Sequence, residues 1–131
     1  MYAHYRFLLD PCSAAAERYW NLLVLDGKAK YVTVLLALSG CETCPPDPLR
    51  LTSTGRQLLI EWLSGGVVHR LDMSERVNRL LPGVAEVLGA KPARPVTPGH
   101  LGVIVHRIRK EYQAELRREL LRRARRGESA F

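Results

Sequence analysis

Cys41 and Cys44 stand in a Cys-x-x-Cys arrangement, the spacing that supplies half of a structural zinc site. Four ligands are needed, and the chain has no second Cys-x-x-Cys, so Cys12, His4, His69, His100 or His106 would have to complete the set from afar. Two ordinary loop cysteines are the simpler reading, and no metal is expected. Pro45-Pro46 follows at once and blocks the helix that a thioredoxin-like redox pair would need to start within the motif. There is no Gly-x-x-x-x-Gly-Lys-Ser/Thr and no Gly-x-Gly-x-x-Gly to cradle a nucleotide. His69 and Asp72 lie close in sequence, but a histidine near a helix start is more often structural than catalytic. His100 and His106 are six residues apart, which puts them on different faces of a helix and disfavours a shared proton relay. The expectation is a protein that is not an enzyme and carries no cofactor.

Guanidinium chemistry is what remains. Arg117, Arg118, Arg122, Arg123, Arg125 and Arg126 crowd one short stretch, with Arg107, Arg109 and Lys110 just before it. Residues 1–100 carry 11 Lys+Arg against 9 Asp+Glu, a net of +2, while residues 101–131 carry 9 against 4, a net of +5. Surplus charge gathered on one element is how an electrostatic footprint for nucleic acid looks; spread evenly, it would serve only solubility. Most of the basic residues are arginine, whose planar fork suits phosphates better than an ammonium does. Such contacts position a protein on nucleic acid without reading sequence, and their signature is steep salt dependence.

The element that must carry these residues is a long terminal helix. Thr97 can cap its start, Pro98 fits the first helical position, and Gly127 is a stop signal. At 1.5 Å per residue it makes a rod of roughly 43 Å. Leu101, Val105, Ile108, Tyr112, Leu116 and Leu120 recur at helical spacing, and Ile104 and Leu121 widen the stripe. The first half, to about Tyr112, reads as docked in the domain and the second half as projecting. In that second half the Leu116–Leu120–Leu121 seam would meet a protein and the arginines would meet phosphates. Glu111, Glu115 and Glu119 form an acidic stripe among the arginines, which argues against a uniformly basic groove binder of the basic-zipper type.

The rest of the chain supplies the support. Residues 2–9 alternate enough for a short strand, and Asp10-Pro11 opens a helix through the alanine-rich stretch that follows. Asp26-Gly27 between apolar runs is a hairpin signal, but the alanine-rich start of the first run favours two antiparallel helices over residues 14–25 and 28–40. Residues 40–48 form a Cys/Pro-rich loop. Thr52 or Ser53 caps a helix whose buried face is Leu58, Leu59, Trp62 and Leu63. Residues 67–71 read as extended, Asp72 with Glu75 as a capping pair, and Pro82-Gly83 as a kink or break in the helix that follows. Residues 91–96 are a Pro-rich connector. The whole is one mainly α domain, a compact bundle of five or six helices: a core over 1–96 and the long basic helix over 97–131. A short N-terminal strand or hairpin remains the alternative in its first part.

Leu49-Arg50-Leu51-Thr52-Ser53-Thr54-Gly55-Arg56-Gln57-Leu58-Leu59 resembles the segment that leaves the wing and enters the next helix in winged-helix transcription regulators. The resemblance implies a helix-turn-helix over residues 14–25 and 28–40, with Lys28 to Leu38 as recognition helix. That helix is mostly apolar after Lys30, the wrong composition for reading base edges.

The resulting expectation is a small nucleic-acid-binding subunit or adaptor of a larger nucleoprotein assembly, with other protein subunits or a second copy as further partners. Phage packaging or connector components and the helical small subunits of RNA-guided interference complexes have this general size, helicity and charge. The apolar seam and exposed parts of Trp20 or Trp62 would serve the subunit's protein contacts; a winged-helix regulator, or a pure protein adaptor using the leucine seam, is the alternative. Three cysteines, no secretion signal and no apolar run long enough to span a bilayer lead to an expectation of a cytoplasmic protein without membrane contact.

Overall fold

The computed structural model describes residues 10–41, 52–91 and 94–127. They form five helices: α1 (Pro11–Leu25), α2 (Ala29–Leu38), α3 (Ser53–Leu63), α4 (Arg70–Leu88) and α5 (Pro98–Arg125). There is no strand among the described residues. The strand expected over residues 2–9 and most of the Cys/Pro-rich loop, Cys44 included, lie outside them.

Asp26-Gly27 ends a helix and does not turn a hairpin. Gly27 sits at φ +66°, its N–H donates to the Val24 carbonyl at 3.1 Å, and the Lys28 N–H reaches back to the Leu23 carbonyl at 3.1 Å. This is the Schellman arrangement, in which a left-handed residue just past the helix satisfies orphan carbonyls of the last turn. The chain then reverses into α2, which is the centre of the molecule. Every residue from Val32 to Ser39 is buried, and the Thr33 hydroxyl is satisfied by the Ala29 carbonyl at 2.6 Å. An apolar helix of this kind has to be covered on all sides. α4 packs along it most extensively, while α1 packs mainly along α5.

The helix starts follow side-chain chemistry at three of five positions. Asp10 accepts from the Ser13 N–H at 2.8 Å, Thr52 from the Gly55 N–H at 3.0 Å, and Thr97 from the His100 N–H at 3.1 Å. α4 departs from expectation. It begins at Arg70, because the Met73 N–H already closes a turn on the His69 carbonyl at 3.0 Å. Asp72 therefore lies inside the first turn, where it meets the helix dipole, and does not cap. Only residues 67–69 of the expected extended segment stay outside a helix. Pro82 does not break α4. It lacks the N–H that would bond the Asn78 carbonyl, but Leu80, Leu81, Val84 and Ala85 around it are all buried and hold the helix in one piece.

Two features fix the start of α5. The Asn78 side-chain amide grips Val96 from both sides, accepting from its N–H at 2.7 Å and donating to its carbonyl at 3.0 Å. Leu101, Ile104, Val105, Ile108 and Tyr112 are then buried in the core. On α3, Leu59 and Leu63 are buried as expected, but Leu58 turns outward and Trp62 is half-buried. Trp20 is only 3% exposed, so it offers no surface to a partner.

Candidate nucleic-acid interface

α5 changes the chemistry of its inner face at Tyr112. Beyond it, the buried positions are Glu115, Glu119 and Arg123, spaced four apart in continuation of the apolar stripe. The leucine seam is displaced from this face: Leu116 and Leu120 are half-buried and Leu121 is 56% exposed. The distal half of α5 is thus not a free arm, because α1 reaches it through Arg18.

The two buried carboxylates gather four guanidinium groups. Arg118 donates to Glu115 at 2.7 Å, Arg122 to Glu119 at 2.8 Å, and Arg123 to Glu119 at 3.1 Å. Arg122 also lies 3.6 Å from Glu115, and Arg18 of α1 stands 3.7 Å from each glutamate. Burial alone would raise the Glu119 carboxyl, but the hydrogen bonds from Arg122 and Arg123 outweigh it and hold the group below the ordinary carboxylate range. The third glutamate is taken as well: the Tyr19 hydroxyl donates to Glu111 at 2.6 Å. Burial, with the Glu111 carboxylate beside it, pushes the Tyr19 hydroxyl far above the usual tyrosine range.

All three acids of α5 are therefore engaged on the side facing α1, which leaves the outer side without a carboxylate. His106, Lys110, Gln113 and Arg117 recur at spacings of four, three and four on that outer side, all exposed. With Arg109 they line a shallow groove of about 500 Å³. Arg107 stands beside them and donates to the Tyr31 hydroxyl at 3.3 Å, and Arg125 continues the exposed series. Lys110, Arg117 and Arg125 have no acidic partner among the described residues.

The nine basic positions expected to meet phosphates thus separate by environment. Arg107, Lys110, Arg117 and Arg125 are exposed on the outer side, and Arg126 is the exposed C-cap residue. Arg118, Arg122 and Arg123 are committed to Glu115 and Glu119. Arg109 turns to the end of α3, donating to the Trp62 carbonyl at 3.0 Å and to the Gly66 carbonyl. There it complements the negative end of that helix. His106 and Gln113 join the surface without having been singled out for it, although their helical spacing from Lys110 was a usable signal. Arg18 gave no such signal, since its partners lie about a hundred residues away.

Cys12 and Cys41 are half-buried, and no group of three His, Cys, Asp or Glu residues among the described residues could hold a metal ion. No described helix is long and apolar enough to cross a membrane. Comparisons with protein-family models, with characterised proteins and with solved structures return no match to this chain.

Proposed function

We propose that this protein is a non-enzymatic, nucleic-acid-binding small subunit or adaptor of a larger nucleoprotein assembly, and that it contacts phosphates through the outer side of α5. One observation carries the reading: every glutamate of α5 is engaged on the side facing α1, with Glu111 half-exposed at its edge, so the face formed by His106, Lys110, Gln113 and Arg117 carries no carboxylate. A surface of one charge sign, held on a rigid rod, attracts a polyanion at long range and positions it on contact. The winged-helix alternative has less support. Its recognition helix would be α2, and a helix buried from Val32 to Ser39 has no face to offer a groove.

The test is a salt titration of binding by the full chain to a mixed pool of fluorescent oligonucleotides. Four phosphate contacts give a slope of log affinity against log salt of about −3 to −4, using ~0.9 per contact on duplex and ~0.7 on single strands. The double charge reversal Lys110→Glu/Arg117→Glu is expected to abolish binding while leaving the helical circular dichroism unchanged. Binding that ignores both salt and the reversal excludes the reading and favours a protein partner instead.

A further inference from the structure

The geometry points to double-stranded DNA as the polyanion this face takes, with the outer side of α5 lying along the major groove. The inference rests on the reading of α5 as a phosphate-binding face and adds the identity of the ligand and the mode of docking.

The acidic stripe is the main sequence argument against a groove-binding helix, and the fold removes it by turning Glu111, Glu115 and Glu119 towards α1. What stays outside is slim and basic: from His106 to Arg125 the rod runs roughly 28 Å at 1.5 Å per residue. The cations also continue onto both flanks. At 100° per residue, Arg107 lies about 60° to one side of Lys110 and Gly102 about 80° to the other. On the Arg107 side, Tyr31 accepts from Arg107 at 3.3 Å and carries the Lys28 ammonium 5.5 Å from its ring centroid, at the rim of the depression that Lys28 shares with Asp26 and Glu111. On the Gly102 side, the Arg70 guanidinium lies flat against the helix, where a Cβ on Gly102 would stand only 3.0 Å from its Cζ. A central basic ridge with a cation on each shoulder matches a groove bordered by two rows of phosphates.

Other polyanions fit less well. Single strands are held by stacking bases on open aromatic rings, and the ring that borders this side of α5 at Arg107, Tyr31, is half-buried and already carries the Lys28 ammonium. The major groove of A-form RNA is too deep and narrow for a helix, whereas that of B-DNA, ~12 Å wide, admits one. A second copy of the chain would set like charges face to face.

The full chain is titrated at fixed salt against four mixed-sequence 20-mers: duplex DNA, duplex RNA, and each single strand. Dimethyl sulfate then reports guanine N7 in the major groove and adenine N3 in the minor groove. The expected result is at least tenfold tighter binding to duplex DNA, protection at N7 and not at N3, and loss of about fivefold for either Arg70→Ala or Lys28→Ala. Equal or tighter binding to RNA or single strands, still abolished by Lys110→Glu/Arg117→Glu, overturns the groove inference and leaves the phosphate-binding face standing. So does protection at N3 alone. Binding to none of the four, or binding indifferent to the double reversal, overturns both.

Discussion

The Tyr19 hydroxyl donates to Glu111 at 2.6 Å across 92 residues of sequence, tying the middle of α1 to the middle of α5. It is a neutral donor on a charged acceptor, the kind of hydrogen bond that contributes about 1.5–3 kcal/mol. Tyr19→Phe keeps the buried ring and removes only the donor. Glu111 is half-exposed and can turn to water, so the expected loss lies at the lower end, about 1.5 kcal/mol. A urea titration checks this: the midpoint falls while the slope stays unchanged. A midpoint equal to wild type would mean that the bond adds nothing to the α1–α5 contact.

How much of this was legible in the sequence depends on how local the cause is. Thr97, Pro98 and Gly127 announce the ends of α5 through backbone chemistry confined to a few residues, and the helix runs where they say. The helical reading of Lys28 to Leu38 likewise stands, since an unbroken apolar run leaves no side to solvate. The orientation of the distal half of α5 was not legible. Leucines at 116, 120 and 121 compete there with glutamates at 115 and 119, and an apolar rule picks the leucines. Guanidinium groups reverse that choice: Arg118, Arg122 and Arg123 bond the two buried carboxylates, and Arg18, distant in the chain, draws both towards α1. The same reversal decides which arginines face outward, so the candidate site was visible as a charge cluster but not as a surface.

Acid should loosen the molecule first at its paired carboxylates. Burial by itself raises the Asp10 carboxyl, and the Ser13 hydrogen bonds more than compensate; Glu119 behaves alike under Arg122 and Arg123. Both groups thus have folded-state values below their unfolded ones. A depressed carboxyl contributes stability that is full above the unfolded value and is lost as pH falls through the folded one. Stability is expected to be flat from neutral pH to about 5 and to decline below about 4.5. Glu119→Gln removes part of that slope while lowering the plateau. A variant whose acid slope matches wild type would show that Glu119 is not a source of it.

Arg109 offers a separation of stability from binding. Its guanidinium bonds the carbonyls of Trp62 and Gly66 at the end of α3, while one edge lines the outer groove. Arg109→Met preserves the aliphatic stem and leaves two carbonyls without their donor. The expected effect is a loss of about 1–3 kcal/mol in unfolding free energy with no more than a twofold change in oligonucleotide affinity at low salt. Arg109→Lys is expected to recover little, because a point charge cannot span both carbonyls as the fork does. Loss of binding without loss of stability would move Arg109 into the phosphate-contacting set.

Arg117 and Arg122 make the sharpest comparison, because the two are five residues apart on one helix and differ in what already holds them. Arg122 sits 2.8 Å from Glu119 and 3.6 Å from Glu115, so a phosphate would have to compete with two carboxylates for it. Arg117 is exposed, with no acidic partner among the described residues, and shares the outer groove with Lys110. Arg117→Ala is expected to weaken nucleic-acid binding about tenfold at low salt and to reduce the salt slope by about one contact, near 0.9 on duplex. Arg122→Ala is expected to leave the slope within experimental error of wild type and to lower stability instead, since Glu119 loses its shortest ion pair. Anisotropy titrations at four salt concentrations and one urea melt per variant measure both quantities. If Arg122→Ala carries the larger binding loss, the internal pairs open on contact with the ligand and the face extends around α5. If the two variants behave alike in both measurements, the division of the arginines by their glutamate partners has no functional meaning.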